Sequence, residues 1–208
     1  IDVANMLTGT TPVANGGTGV TTSAALANTG NLVLLSSQTA SDDANISFTS
    51  GIDSTYDQYI FKFQDIHPAT DNVDFRVLFS TDGTNFNQGI TGAGSITFAK
   101  EDNTNYGHQQ DGQLNAYTSG NTFMNIAIDN GADNDQSLNG ELRFYSPSNT
   151  TFKKHFYSEI INSQYNNHVM HNNAQGYIPT TSAITGVRFA LSSGNIQSGT
   201  IFLYGVKS

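Results

Sequence analysis

The chain has 208 residues, 37% of them hydrophobic and only 12% charged, with a formal net charge of −9 and no cysteine. That length suits one sizeable domain plus an appendage, able to bury roughly 70% of its unfolded surface. The acidic balance disfavours a nucleic-acid or anionic-membrane partner, each of which wants a basic patch. The lack of cysteine excludes disulfides and thiolate sites, and no apolar run approaches the ~20 residues that a membrane helix needs. The aromatic share is 11%, all Phe and Tyr. Many small polar residues beside many aromatics suit β-strands joined by polar turns and argue against disorder. The first residue is Ile1 rather than Met, which reads as a fragment or a processed product with more chain upstream.

Residues 1–31 read as a neck. Leu7, Val13, Val20 and Leu26 recur at intervals of six or seven among Gly, Thr, Asn and Pro. One copy could bury about four side chains, which cannot offset the ~1–2 kcal/mol per residue of backbone ordering. The segment therefore needs neighbouring copies or stays a linker. Thr22 or Ser23 can cap a short helix through Ala24–Ala27, and Gly30 is placed to end it. Gly16, Gly17 and Gly19 permit backbone paths close to another chain.

The stretch VANGGTGVTTSAALANTG, with Pro12 before it, resembles the ANGGTGATT…A…NLG element of bacteriophage tail fibres. That element recurs at the joint between shaft and distal domain. The match covers residues 12–30 and departs at Thr29, where the family more often has Leu. The resemblance implies a homotrimer in the tail fibre of a virion, joined at its N-terminus to the rest of the fibre. It also implies a distal head that carries receptor binding.

From residue 32 to residue 208 the pattern is that of the head. Strand-like runs are Leu32–Ser36, Ile46–Thr49, Gln58–Ile66, Val73–Ser80 and Ser95–Ala99, then Thr122–Ile128, Leu138–Ser146, Phe152–Ile161, Ile184–Leu191 and Thr200–Val206. Val73, Phe75, Val77 and Phe79 line one face of their run; Leu142 and Phe144 oppose Arg143 and Tyr145; Phe61, Phe63 and Asp65 share a face against Ile60 and Lys62. Period two with one apolar face marks antiparallel sheet. Turn signals at Asp82-Gly83, Asn130-Gly131, Asn139-Gly140 and Ser193-Gly194 separate the runs. The expected fold is all-β, an antiparallel β-sandwich of jelly-roll type behind a short neck. Phe75, Val77, Phe79, Phe144 and Phe189 are the expected core.

Two polar, aromatic regions read as loops. The first, residues 84–120, offers Tyr106, His108, Gln110 and Tyr117; the second, residues 162–177, offers Tyr165, His168, His171 and Tyr177. Aromatic faces with amide and carboxylate partners suit sugars, and loops on a rigid scaffold are where binding settles. The competing readings are a long surface loop or hairpin with solubilising side chains for the first and plain loop polarity for the second. His168 and His171 would point to opposite faces of a strand, which speaks against a shared metal. Asp129, Asp133 and Asp135 lie within seven positions and make a speculative calcium site, against an acidic hairpin turn. No nucleophile or metalloprotease motif is present.

The expected function is adhesion to a bacterial surface glycan or outer-membrane protein, without catalysis and without membrane insertion. The alternatives are a fibre-borne depolymerase, which needs a carboxylate pair, and a structural spacer.

Overall fold

The computed structural model describes residues 31–116 and 120–207. The neck, and with it the expected trimer junction, lies outside the described residues, as does Tyr117. Twelve strands follow in chain order. They are β1 Leu32–Thr39, β2 Asn45–Phe48, β3 Gln58–Pro68, β4 Val73–Ser80, β5 Thr91–Lys100, β6 Tyr106–Gln110, β7 Met124–Asn130, β8 Leu138–Tyr145, β9 Lys154–Gln164, β10 His168–Ile178, β11 Gly186–Leu191 and β12 Ile196–Val206. One 3₁₀ turn, Gly112–Leu114, sits between β6 and β7.

Every pairing is antiparallel, as the alternating runs require. Eight strands form one run in the order β1-β12-β3-β8-β9-β10-β5-β6, and four form another, β7-β4-β11-β2. A single pairing, Asn130 with Gln164, joins β7 to β9. A lone bridge from Asp43 to Ile196 brings the start of β2 to β12. The sheet is thereby nearly closed into a barrel.

The barrel interior is packed with rings from strands that share no ladder. Phe79 of β4 lies 5.1 Å from Phe144 of β8 and 5.3 Å from Phe156 of β9. Phe63 of β3 meets Phe75 of β4 edge-on at 5.2 Å, and Phe61 meets Phe189 at the same separation. Such edge-on and tilted pairs each add about 0.5–1.5 kcal/mol beyond area burial. The five expected core residues, Phe75, Val77, Phe79, Phe144 and Phe189, are all fully buried.

All ten expected runs are strands, with Val73–Ser80 the same at both ends. Three expectations are corrected. The region around Tyr106 and His108, expected as a binding loop, is instead the β5–β6 hairpin of the competing reading, and residues 168–178 are β10, paired along its whole length with β9 and β5. Period two was hidden in β10 because its inward residues include Asn172, which is fully buried, between Met170 and Ala174. Asp65 does not share the inner face with Phe63. The register slips between Phe63 and Ile66, Asp65 takes φ +50°, and Ile66 fills the core position. A bulge of this kind bends the strand where the barrel curves.

Candidate functional site

The cleft forms where β7 ends. β9 and β10 run past Asn130, and their turn holds Asn167 at φ +60°. On the inner side of this overhang Ile96, Leu114, Ile128 and Met170 make a small apolar cluster apart from the main core, with Phe98 packed on it. Gly94 allows this approach: a Cβ there would stand 2.6 Å from the Leu114 Cβ and 2.7 Å from the Asn173 carbonyl oxygen.

Between that cluster and the end of β7 opens a cleft of about 270 Å³. Ile96, Phe98 and Met170 give its apolar wall, and Asn105, Asp129, Gln164, Asn166 and His168 its polar rim. Gln164, Asn166 and His168 come from the β9–β10 turn and its flanks, Asp129 from β7 and Asn105 from the turn between β5 and β6. The His168 ring packs edge-on against Phe98, centroids 6.0 Å apart. Its Nδ1 lies 3.1 Å from the Gln164 Oε1, and its Nε2 lies 3.4 Å from the Asn105 side-chain amide. The Asn166 backbone N–H donates to the same Gln164 Oε1 at 3.0 Å.

Asp129 sits at φ +54°, and its carboxyl is pushed above the usual carboxylate range by burial, then by the neighbouring Asp74 charge, with a Gln164 hydrogen bond opposing. Asp74 is raised too, again chiefly by burial, although it accepts the Asp129 N–H at 3.3 Å and the Asn125 amide at 2.9 Å. Among the described residues one carboxylate, Asp129, lines the cleft, and Asp74 is engaged behind it.

Of the residues expected to bind a receptor, His168 alone among the described residues lines this cleft. Tyr106, His108 and Gln110 pair with Ala99, Thr97 and Ser95, and so lie on the opposite, outer face of the sheet. His171 and Tyr177 of β10 share that outer face. The two histidines do point to opposite sides of β10; His171 bonds Glu159 at 3.0 Å. Tyr165 is in the β9–β10 turn, its N–H donating to the Asp129 carbonyl. The expected calcium set is dispersed. Asp129 faces the cleft, Asp135 lines a separate depression with Lys100 and Glu101, and Asp133 closes the turn to Gln136 through its carbonyl. Among the described residues no group of three or more His, Asp or Glu side chains could hold a metal ion.

Sequence reading missed Ile96, Phe98, Asn105, Gln164, Asn166 and Met170 as site residues. The signal for the apolar pair was the pairing of Phe98 with Met170, which is visible only once β10 is known to be a strand.

No family model and no curated protein matches the chain. Among solved structures, an aerolysin-like protein of Bombina maxima is similar at 11% identity and a TM-score of 0.12, over 78% of this chain and 88% of that one. A likeness so low carries no argument.

Proposed function

We propose that the chain is the neck and receptor-binding tip of a bacteriophage tail fibre, and that the tip holds a surface glycan in the cleft at the end of β7. The observation that carries this reading is the cleft's composition: an apolar wall with Phe98 and Met170, faced by Asn105, Gln164, Asn166 and His168. A sugar ring offers an apolar face and a rim of hydroxyls, and those residue types match both. The neck resemblance supplies the fibre setting and the homotrimer. Three linked sites gain ~10²–10⁴ in apparent affinity, so each can be weak. In this proposal the nearly closed barrel is a jelly-roll-like sandwich, with the four-strand run packed on the eight-strand run.

A depolymerase of the two-carboxylate kind needs an acid and a second carboxylate about 5–10 Å apart across the bond. Among the described residues the cleft is lined by one, Asp129, which favours holding a glycan over cutting it. The test is a screen of the full chain against host-surface glycans and outer-membrane proteins, with reducing ends measured in parallel. Binding without reducing-end release is expected. Release would replace adhesion by hydrolysis, and binding to none of the host surfaces would leave the spacer.

A further inference from the structure

We infer that the cleft at the end of β7 selects glycans that carry a free amine, with the Asp129 carboxylate as the group that selects them. The inference rests on the reading of this cleft as the glycan site and adds the charge class of the ligand.

Gln164, 8% exposed, sets the polarity of the cleft. Its Oε1 is occupied on the turn side, where it accepts the Asn166 N–H at 3.0 Å and lies 3.1 Å from His168 Nδ1. An amide oxygen cannot donate, so Nδ1 carries the hydrogen of the neutral ring and Nε2 keeps its lone pair. The Asn105 amide reaches that lone pair only at 3.4 Å. The amide end of Gln164 is left for Asp129, to which its side chain is hydrogen-bonded. Acceptors therefore stand on both sides of Gln164, the Asp129 carboxylate on one and His168 Nε2 on the other, and they suit a ligand that donates.

No Lys or Arg lines the cleft among the described residues. All eight Lys and Arg of the chain fall within those residues, since 1–30, 117–119 and 208 contain none. The cations on the strands packed about the cleft are engaged. Arg76 of β4 reaches Asp74 at 4.0 Å, donates from Nε to Asn125 and stacks on Phe123. Lys100 of β5 meets Asp102 at 3.0 Å. Further carboxylates surround them: Asp111 adds its charge to both Asp74 and Asp129, and Glu101 and Asp135 border the adjoining depression that shares His168.

None of the ion pairs among the described residues includes Asp129. A half-buried carboxylate without a cation is costly to keep charged, and burial and then Asp74 hold this one above the usual range. A ligand ammonium supplies the missing partner. Its bonds to the carboxylate are charge-assisted and about twice as strong as neutral ones. A neutral sugar satisfies the acceptors but leaves the charge unpaired. A uronate or phosphate brings a like charge into a site without a free cation, which excludes it. Ile96, Phe98 and Met170 remain for the apolar face of the ring.

Four β-1,4-linked tetramers that differ at one ring position are the probes: glucosamine, N-acetylglucosamine, glucose and glucuronate. Calorimetry with the full chain at physiological salt and pH 6, where sugar amines are largely charged, compares them. The glucosamine tetramer should bind at least about tenfold more tightly than the glucose tetramer, and the glucuronate tetramer should not bind. Asp129→Asn keeps an acceptor oxygen and tolerates the left-handed backbone. It should erase the preference and bind the glucose tetramer as the parent does. Asp57→Asn removes the same charge from an exposed position just before β3 and should leave the preference intact. A preference that survives Asp129→Asn, or that Asp57→Asn also removes, would assign it to overall charge and overturn the inference. Equal binding of the glucosamine and glucose tetramers, or tightest binding of either of the other two, would overturn it and leave the glycan reading standing. Binding of no tetramer beside a positive host-glycan screen does the same, whereas no tetramer bound and a negative screen removes both.

Discussion

The side-chain amide of Asn172 donates to Oδ1 of Asn162 at 2.7 Å, and both residues are buried. Between them they hold both backbone groups of Ile128. The Ile128 N–H donates to Asn172 Oδ1 at 3.2 Å, and the Ile128 carbonyl accepts from the Asn162 amide at 3.0 Å. β7 pairs irregularly with β4 here, with its register shifting around Phe75. Two side chains from the β9–β10 hairpin thus replace ladder hydrogen bonds and tie the four-strand run to the eight-strand run.

Asn172→Ala should therefore cost about 1–3 kcal/mol, since it strands the Ile128 N–H without a partner. Urea unfolding followed by circular dichroism measures it. A cost within ~0.5 kcal/mol would show that water or relaxation takes over the bond.

Phe79→Ala tests the packing of the two runs. Phe79 is fully buried between Phe144 and Phe156. The truncation should cost about 3–5 kcal/mol, read from the shift of the urea midpoint at constant slope.

Gly140→Ala tests the β8–β9 ladder. Gly140 has φ +155°, and a Cβ there would strike the Glu159 carbonyl oxygen and stand 2.8 Å from the Ile160 Cα. Backbone cannot swing aside as a flexible side chain can. The variant should lose more than about 1 kcal/mol, and a melting temperature equal to the parent's would show that the strands separate freely at this point.

Asp129→Asn tests the buried carboxylates. The folded chain raises the Asp129 pKa above its ordinary 3.8, through burial and then Asp74. A raised carboxyl binds its proton more tightly when folded, so its stabilising contribution is full below the unfolded value and is lost as pH rises through the folded one. At pH 7 the parent therefore holds an unfavourable charge that the variant lacks. The variant should melt higher than the parent at pH 7, with the gap closing as pH falls toward 4. Asn also tolerates the left-handed backbone at this position. A gap that stays constant over that range would detach the effect from titration.

His168→Ala and Asn105→Ala test the cleft. Both residues are partly exposed at its rim, so their melting temperatures should stay within a few degrees of the parent's. Binding to host glycan should fall at least about tenfold in each, as loss of a hydrogen bond or ring contact worth about 1–2 kcal/mol requires. Unchanged binding in both would move the receptor site out of the cleft.

The strands with an apolar inner face were legible residue by residue. Val73, Phe75, Val77 and Phe79 alternate with Asp74, Arg76, Leu78 and Ser80, mostly polar, and Leu142 and Phe144 alternate with Glu141, Arg143 and Tyr145, because a half-buried strand needs only its own side chains to declare which face is wet. The same rule read β10 as a loop. Asn172 can be buried there only because Asn162 and Ile128, from two other strands, satisfy its amide, and that compensation exists only after the strands meet. Asp129, Asp133 and Asp135 looked like one ligand set along the chain, yet β7 ends at Asn130 and separates the first from the others. The cleft was hidden for the same reason. Asn105, Asp129 and the Gln164–His168 pair come from three separate stretches of the chain, and no local periodicity links them. Periodicity therefore marked each strand's apolar face, whereas pairing register and strand length decided which polar residues share a cleft.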